Sequence, residues 1–304
     1  MGKEAVMVRL GLCCVFKNQP IRFRHATASH LRKFDRAEQL GRLSAICLDN
    51  AEALSQAILF CHGAGIGAFR VNSQILPLLT HPEVGYRVEE LPMQDEIIDR
   101  FKRCGEMALS RNIRLTLHPD QFVLLSSPNP AVTKNAIEEL SYQVMAAQWI
   151  HADVINIHGG GLYGDPSAAI ARLEKEILSL DASIRSRLTL ENDDRSYTPK
   201  MLLPLCRKTG VPFVYDVHHH RVHPDGLSII EATALARETW DREPLFHISS
   251  PRNGFLGSNP RQHHDFIDPS DFPACWRDFD LTVEVEAKAK EEAVLKLKRD
   301  LFAK

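Results

Sequence analysis

Six short apolar runs in this chain each lead into a polar residue, and this recurrence constrains the fold more than any other feature of the sequence. The polar residues that follow the runs are His118, His158, Glu191, Asp216, His247 and Glu286. The runs are short and mostly aliphatic or β-branched, as buried strands are. Helical patterns separate them, and a repeated strand–helix unit favours a parallel sheet. We therefore predict an α/β fold, a single (β/α)8 TIM barrel in which the carboxyl ends of the strands meet at one mouth.

The size of the chain fits one such domain. It has 304 residues, 44% of them hydrophobic, and an α/β barrel typically takes about 250 residues. No stretch has the composition of a linker, so a single domain is predicted over residues 1–304.

Capping and turn signals give the expected boundaries of several elements. Strands are predicted over 6–12 and 66–71. A long helical region is predicted from about residue 28 to 61, with Asn50 as the N-cap of its second half. Further helices are predicted over 93–110, 129–151, 166–178, 198–208, 227–238 and 290–302.

Composition also bears on where such a chain acts. No apolar stretch approaches the roughly 20 residues of a membrane span, and the first residues lack the apolar core of a signal peptide. The seven cysteines are expected to be reduced, and packing is favoured over a metal or redox role for the adjacent Cys13 and Cys14. The chain is predicted to be cytoplasmic, without a membrane partner and monomeric.

Histidine and carboxylate side chains at one barrel mouth predict a site for divalent cations. Mixed imidazole and carboxylate ligands suit Mn²⁺, Zn²⁺, Co²⁺ or Fe²⁺ better than a purely oxygen site would. The densest cluster is Asp216-Val217-His218-His219-His220, and its spacing indicates that His219 shares a metal with Asp216. His218 and His220 would then lie behind the ligands or face solvent. A His-rich polar loop without metal is the alternative, which the other strand-end residues disfavour.

A long loop after the seventh strand carries Arg252 and Arg261 among glycine, asparagine and proline residues. It is either a solvated loop or a surface for a phosphate backbone, since barrels often hold phosphate at this mouth. The net charge of −2 gives no global nucleic-acid signature, so such a partner would need a local basic surface.

Short motifs that run through nearly the whole chain resemble those of one family. They are RLG at 9–11, FRV at 69–71 with HP at 81–82, LHPDQF at 117–122, IHGG at 157–160, LEND at 190–193, DxxHH at 216–220, HxS at 247–249, HxDF at 263–266 and EAKxK at 286–290. Each motif is weak alone, but together in this order and spacing they are specific. The chain resembles the UV damage endonucleases, UvdE-like relatives of endonuclease IV among the xylose-isomerase-like TIM barrels.

The resemblance implies a DNA repair endonuclease that acts on UV-damaged double-stranded DNA. Such an enzyme incises the phosphodiester immediately 5′ to cyclobutane pyrimidine dimers and 6-4 photoproducts by multi-metal hydrolysis, leaving a 3′-hydroxyl and a 5′-phosphate. It would bind two or three divalent metal ions per chain, with Mn²⁺ favoured over Zn²⁺, Co²⁺ or Mg²⁺. The metal ligands implied by the motifs are His118, His158, Glu191, Asp216, His219, His247, His263 and Glu286.

Roles within that set are also implied by the resemblance. Glu191 would bridge two metals, because a carboxylate has two oxygens to share. His264, directly beside His263, is the alternative ligand at that position. The residues implied to be catalytic are Glu191, His118, His158, Asp216 and Glu286.

The implied DNA-binding residues are Gln121, Phe122, Arg70, Arg252 and Arg261. Gln121 and Phe122 match a Gln-Tyr pair that the family inserts into the duplex at the lesion. Phenylalanine keeps the stacking face of the tyrosine and lacks its hydroxyl. Leu12 and Leu245 also depart from the family pattern, because relatives can carry Tyr and Lys at these positions.

Three other functions remain open at this point. An abasic-site endonuclease of the endonuclease IV type would use the same chemistry. A metal-dependent sugar isomerase would use the same barrel, but the basic loop and the Gln-Phe pair argue against it. A non-catalytic damage-binding protein would have no use for a multi-metal centre.

Overall fold

The computed structural model describes residues 6–302, and its centre is one parallel sheet of eight strands. Each strand is short and its side chains are buried, as expected of strands covered on both faces. In chain order the strands are β1 Val8–Cys13, β2 Ala68–Val71, β3 Arg114–Leu117, β4 Val154–His158, β5 Leu188–Glu191, β6 Phe213–Val214, β7 Leu245–Ile248 and β8 Leu281–Val285.

The sheet curls into a barrel. Its hydrogen-bonded order is β6-β5-β4-β3-β2-β1-β8-β7. The two end strands meet just beyond β6, where Asp216 and His247 form a parallel bridge and the His247 amide donates to the Tyr215 carbonyl at 3.0 Å. The predicted (β/α)8 barrel is therefore confirmed.

Aromatic side chains pack behind the closure, where β6 offers only two residues to the ladder. Tyr215, Phe246 and Trp276 are all fully buried. The rings of Phe246 and Trp276 lie 5.3 Å apart, and those of Tyr215 and Phe246 meet edge-on at 5.8 Å. Such buried pairs add stability beyond the area that they bury, and here they support the strands that deliver Asp216 and His247.

Helices cover the outside of the barrel. Among residues 6–302 they are α1 Ala28–Leu31, α2 Arg36–Ala64, α3 Gln94–Ser110, α4 Pro130–Ile150, α5 Pro166–Ser179, α6 Ala182–Arg185, α7 Pro199–Thr209, α8 Val217–Val222, α9 Ile229–Arg237 and α10 Glu291–Phe302, with 3₁₀ turns at Val88–Glu90, Pro269–Asp271 and Ala274–Asp278. Most predicted helix bounds agree with these within two residues. None of these helices combines the length and apolar character needed to cross a bilayer.

The predicted helical region over 28–61 is wrong in two respects. It is interrupted after α1, and α2 then runs without a break from Arg36, with Asp35 capping it by accepting from the Glu38 amide at 2.9 Å. Asn50 therefore lies inside a helix and is not an N-cap. Its buried side chain accepts from the Arg24 amide at 2.6 Å and donates to the carbonyls of Arg24 and Ile75, both at 3.0 Å. A polar residue that resembles a cap instead ties two loops to the helix.

Candidate metal centre and nucleic-acid interface

The barrel brings the six polar strand-end residues to the same mouth. In the sheet register, His158 is directly beside Glu191, and Asp216 is beside His247. Because parallel strands deliver their carboxyl ends to one face of the barrel, side chains far apart in sequence come within a few ångströms of each other.

The first group of possible ligands is His118, His158 and Glu191, whose ligand atoms lie within 4.8 Å of one another. His118 Nε2 is 3.1 Å and His158 Nε2 is 4.0 Å from Glu191 Oε2. The other ring nitrogen of His118, Nδ1, donates to the Pro119 carbonyl at 3.1 Å. This contact fixes the ring orientation, as metal-binding histidines generally require.

The second group is Glu191, Asp216 and His219, again within 4.8 Å. His219 Nδ1 is 3.4 Å from Glu191 Oε1 and 3.5 Å from Asp216 Oδ2. Asp216 is also the N-cap of α8 and accepts from the His219 amide at 2.8 Å. The Asp-x-x-His spacing therefore places both side chains on one helical turn, and Glu191 belongs to both groups.

Unpaired buried atoms show that these residues fit divalent cations. Glu191 Oε1, Asp216 Oδ2 and His158 Nδ1 are buried without a hydrogen-bond partner. His247 Nδ1 lies 3.1 Å from Glu191 Oε1, but without hydrogen-bonding geometry. Leaving such atoms unpaired is costly, and an ion that binds between Glu191 Oε1 and Asp216 Oδ2 explains why these two carboxylate oxygens have no partner.

Burial and neighbouring charges favour the metal-binding ionisation state in Glu191 and His158 but oppose it in Asp216, His219 and His247. Burial opposes ionisation of Glu191, but the charge of His247 outweighs it and holds the pKa of Glu191 well below its usual range. Burial lowers the pKa of His158 and so favours its neutral ring. Burial raises the pKa of Asp216. Burial opposes protonation of His219 and His247, but the neighbouring carboxylates outweigh it and raise the pKa of both rings. Carboxylate anions and neutral imidazoles are the forms that coordinate metals.

His247, Glu286 and His263 lie beside these two groups and belong to neither. His247 Nδ1 is 3.5 Å from Glu286 Oε1, and His263 Nδ1 is 3.9 Å from Glu286 Oε2. The neighbouring His264 Nδ1 accepts from the Phe266 amide at 2.9 Å, which commits it to a local turn. The geometry thus favours His263 over His264 for a ligand role.

Sequence reasoning missed Glu284, which contacts this region from below. Its side chain is fully buried in β8, and Glu284 Oε2 is 3.0 Å from His247 Nε2. Burial opposes its ionisation, yet Arg70 and His247 lower the pKa of Glu284 to about 2. Its position two residues before Glu286 was the available signal, because side chains alternate along a strand and residues i and i+2 share a face.

The location of Arg70 does not match its predicted contact with DNA. Arg70 is only 8% exposed. Its guanidinium pairs with Glu284 and lies 2.8 Å from Glu286 Oε1. The contacts of Arg70 are therefore internal, and reaching a phosphate would require at least one of these ion pairs to open.

Two asparagines, also missed, support the candidate ligands. Asn156 Nδ2 donates to Glu191 Oε2 at 2.5 Å. Asn192 exchanges two hydrogen bonds of 2.9 Å with the Asp216 backbone, and its own carbonyl accepts from His219 Nδ1 at 2.9 Å. Such contacts orient ligand side chains. Asn156 is two residues before His158, the same periodicity that Glu284 shows.

The remaining cluster histidines face inward. His218 and His220 are 0% and 3% exposed, so neither faces solvent as the sequence allowed. His220 is held between Tyr215 and Asp225, with contacts of 2.7 and 3.0 Å. Leu12 and Leu245 are also fully buried, which gives both a packing role here.

The predicted wedge is exposed at the mouth. Gln121 and Phe122 lie in the loop between β3 and α4, and Phe122 is 75% exposed. An aromatic side chain this exposed buries little surface in the protein itself, so it is free to contact a partner.

The predicted basic loop lies on the same side of the barrel and is ordered at its base. The Arg252 amide donates to the Gln262 carbonyl at 2.6 Å, and Pro251 forms an antiparallel bridge with His263. Arg252 is exposed. Arg261 pairs with Asp194, with Nε 3.2 Å from Oδ2. Of the two arginines, Arg252 is the freer.

Comparison with known proteins identifies the family. The sequence model of the family described as UV-endonuclease UvdE matches residues 8–303. A UV DNA damage endonuclease of Bacillus pumilus (strain SAFR-032) is 36% identical over 293 residues, which is 91% of this chain and 87% of that protein. One of Deinococcus radiodurans is 32% identical over 302 residues, covering 95% and 94% of the two chains.

Solved structures agree on the fold. The crystal structure of SacUVDE superposes with a TM-score of 0.86 at 24% identity, covering 97% of this chain and 98% of that one. Endonuclease IV from Thermus thermophilus superposes with a TM-score of 0.60 at 15% identity, covering 96% and 97%. Sequence and fold together place the chain in the UV-endonuclease UvdE family, a family of nucleases.

Proposed function

We propose that this protein is a DNA repair endonuclease that incises the strand immediately 5′ to UV photoproducts, leaving a 3′-hydroxyl and a 5′-phosphate. The observation that carries the proposal is Glu191, a buried carboxylate shared by two ligand groups at a mouth that also presents Phe122. Family membership and the DNA damage named for its relatives support it. The protein would act as a monomer with one domain.

Divalent cations, Mn²⁺ foremost, would be held by the two groups that share Glu191. His247, His263 and Glu286 could hold a third. Such ions supply an activated water and stabilise the charge that develops on a phosphodiester during hydrolysis. The protein side chains would orient the ligands and keep them charged. Asn156 holds Glu191, Asn192 holds the backbone of Asp216, and Arg70 keeps Glu286 ionised.

Recognition would depend on how easily the DNA deforms. A dipyrimidine lesion stacks poorly, so extruding it costs less than the few kcal/mol that a sound base pair requires. A side chain that enters the resulting gap recovers part of this cost. Phe122 is the exposed aromatic residue placed to do so, with Gln121 beside it.

An end-labelled cleavage assay tests the proposal. Duplexes that carry one cyclobutane dimer, one abasic site or no lesion would be incubated with the protein and Mn²⁺, with a chelator in parallel. We expect a metal-dependent nick immediately 5′ to the dimer, with a 3′ end that a polymerase extends. Cleavage confined to the abasic duplex would indicate endonuclease IV-type activity instead, and lesion binding without cleavage would indicate a binding protein.

Replacing Phe122 with Ala should weaken discrimination between damaged and intact DNA. Base–aromatic stacking contributes about 1–3 kcal/mol, so the ratio of the two dissociation constants should fall by about 5- to 150-fold. Fluorescence anisotropy with both duplexes measures this ratio. Phe122→Tyr should be nearly neutral, and Phe302→Ala, at an exposed aromatic residue of α10, is the matched control. If the ratio of dissociation constants is unchanged in Phe122→Ala, Phe122 is not the side chain that enters the DNA at the lesion.

A further inference from the structure

A cavity opens beside the candidate metal centre, and two lysines that line it, Lys288 and Lys290, have no role in the function proposed so far. Its volume is about 540 Å³, and its charged lining residues are Arg70, Arg261, Glu286, Lys288 and Lys290. That volume lies within the range of about 300–1,000 Å³ that is common for small-ligand sites. Glu286 and His263 belong to both places, since both line the cavity, Glu286 lies 3.5 Å from His247, and His263 lies 3.9 Å from Glu286.

The two lysines are the uncompensated charges of this cavity. Arg70 is paired with Glu284 and Glu286, and Arg261 with Asp194. Within residues 6–302, neither Lys288 nor Lys290 has a carboxylate within ion-pair distance. The acidic residue of the lining, Glu286, is paired with Arg70, so the uncompensated charge of the cavity is positive. A concave surface with an excess of one charge concentrates ions of the opposite sign. The cavity therefore suits an anion.

The backbone around the cavity is held in an unfavourable conformation. Cys14 and Lys290, both of which line it, have φ angles of 63° and 52°. Such angles are strained in residues other than glycine, and they persist where surrounding contacts enforce them. One of these contacts is the buried Glu291, whose carboxylate accepts from the amides of Lys17 and Asn18 at 2.8 and 2.7 Å. The loop after β1 is thereby fixed to the start of α10, so the two walls keep their spacing.

We propose that this cavity binds a backbone phosphodiester of the cleaved DNA strand, next to the bond that is cut, through Lys288 and Lys290. The inference rests on the proposed function and extends it to a positioning site. Two lysines beside largely compensated arginines leave the cavity with an excess of positive charge, and the single negative charge of a phosphodiester would neutralise part of it. Its distance from the candidate ligands is set by Glu286, which both sites share. Phosphate contacts of this kind set register and carry no sequence information.

The double variant Lys288→Gln/Lys290→Gln tests the proposal. Each phosphate contact that is lost should reduce the slope of log K against log salt by about one unit, equally for damaged and intact duplex, because every nucleotide carries a phosphate. The matched control is Lys102→Gln/Lys175→Gln, two exposed lysines of α3 and α5 without ion-pair partners among residues 6–302. This control removes the same charge from the outer helices and should leave the slope at the wild-type value.

The outcomes separate this inference from the proposed function. A wild-type slope in the double variant, with wild-type nicking, overturns the phosphate site and leaves the endonuclease standing. If the double variant shows the reduced slope but the wild-type protein nicks none of the duplexes, the phosphate site is supported and the endonuclease function is rejected. Free phosphate could bind the same cavity as a DNA phosphodiester. Calorimetric titration of the wild type and the double variant with inorganic phosphate tests this alternative. If the variant loses phosphate binding while its DNA slope is unchanged, the cavity is a site for the free ion and the proposal is wrong.

Discussion

Replacing Glu191 with Gln should reduce cleavage of dimer-containing DNA by about 1,000-fold or more while leaving lesion binding measurable. The carboxylate is 1% exposed and is the one residue common to both ligand groups. Stabilisation by metal ions is worth several kcal/mol in such reactions, and about 4 kcal/mol corresponds to about 1,000-fold in rate. Gln121 and Phe122 lie in a separate loop, so DNA contacts should survive. Single-turnover nicking at saturating Mn²⁺ measures the loss, and elemental analysis of the protein should show reduced metal content.

Glu243→Gln is the matched control for that variant. Glu243 accepts from Arg9 Nε at 3.0 Å at the amino-terminal ends of the strands, on the opposite side of the barrel from the mouth. Removing its charge should alter stability without altering metal content or nicking. If Glu191→Gln nicks at the wild-type rate and retains the wild-type amount of metal, Glu191 does not bridge two ions.

The strand-end residues could be predicted because they carry a local signal. A buried strand must be apolar, so a histidine or carboxylate that directly follows one marks the point where the chain reaches the barrel mouth. His118, His158 and Glu191 are recognisable in this way. No local sequence pattern predicts how the barrel closes, because closure depends on a bridge between Asp216 and His247, which are 31 positions apart in the sequence.

The supporting residues could not be predicted for a related reason. Arg70 and Glu284 are separated by 214 positions, and nothing in either segment indicates the other. The DNA contact of Arg70 was implied only by the family resemblance, through the FRV motif, and that motif carries no sign of Glu284. Asn50 was misread for a similar local reason, since a polar residue before Ala-Glu-Ala resembles a helix cap whether or not a loop lies against it.

The anion cavity that Lys288 and Lys290 line could not be predicted from the sequence alone. The EAKxK motif marked Lys288 and Lys290 as part of the family resemblance, but a charged stretch before a helix is usually a solvated face. Only the fold brings these lysines into one cavity with Cys14 and Arg261. Partners that are distant in the chain decide whether a lysine is an isolated surface charge or part of a site.

The buried ion pairs of Arg70 lead to the second large effect. Replacing Arg70 with Met removes the only arginine that lies between Glu284 and Glu286 within residues 6–302 and leaves both carboxylates without their main compensating charge. Breaking a buried ion pair by removing one partner costs about 3–5 kcal/mol, because the remaining charge stays buried. The free energy of unfolding, from chemical denaturation with a chelator present, should fall by that amount. Arg103→Met, which breaks an exposed pair with Asp99 on α3, should cost about 0.5 kcal/mol or less.

Adding Glu284→Gln to Arg70→Met should restore part of the lost stability. The second change removes one of the two uncompensated charges and keeps a side chain of the same size that can still accept from Thr116. Glu286 remains charged, so recovery should be incomplete. The coupling free energy between the two substitutions, obtained from the double-mutant cycle, isolates the ion pair from the loss of packing. If Arg70→Met and the double variant unfold at the same denaturant concentration, then lost packing alone explains the destabilisation, and Arg70 does not act by holding the carboxylates beneath the candidate metal centre.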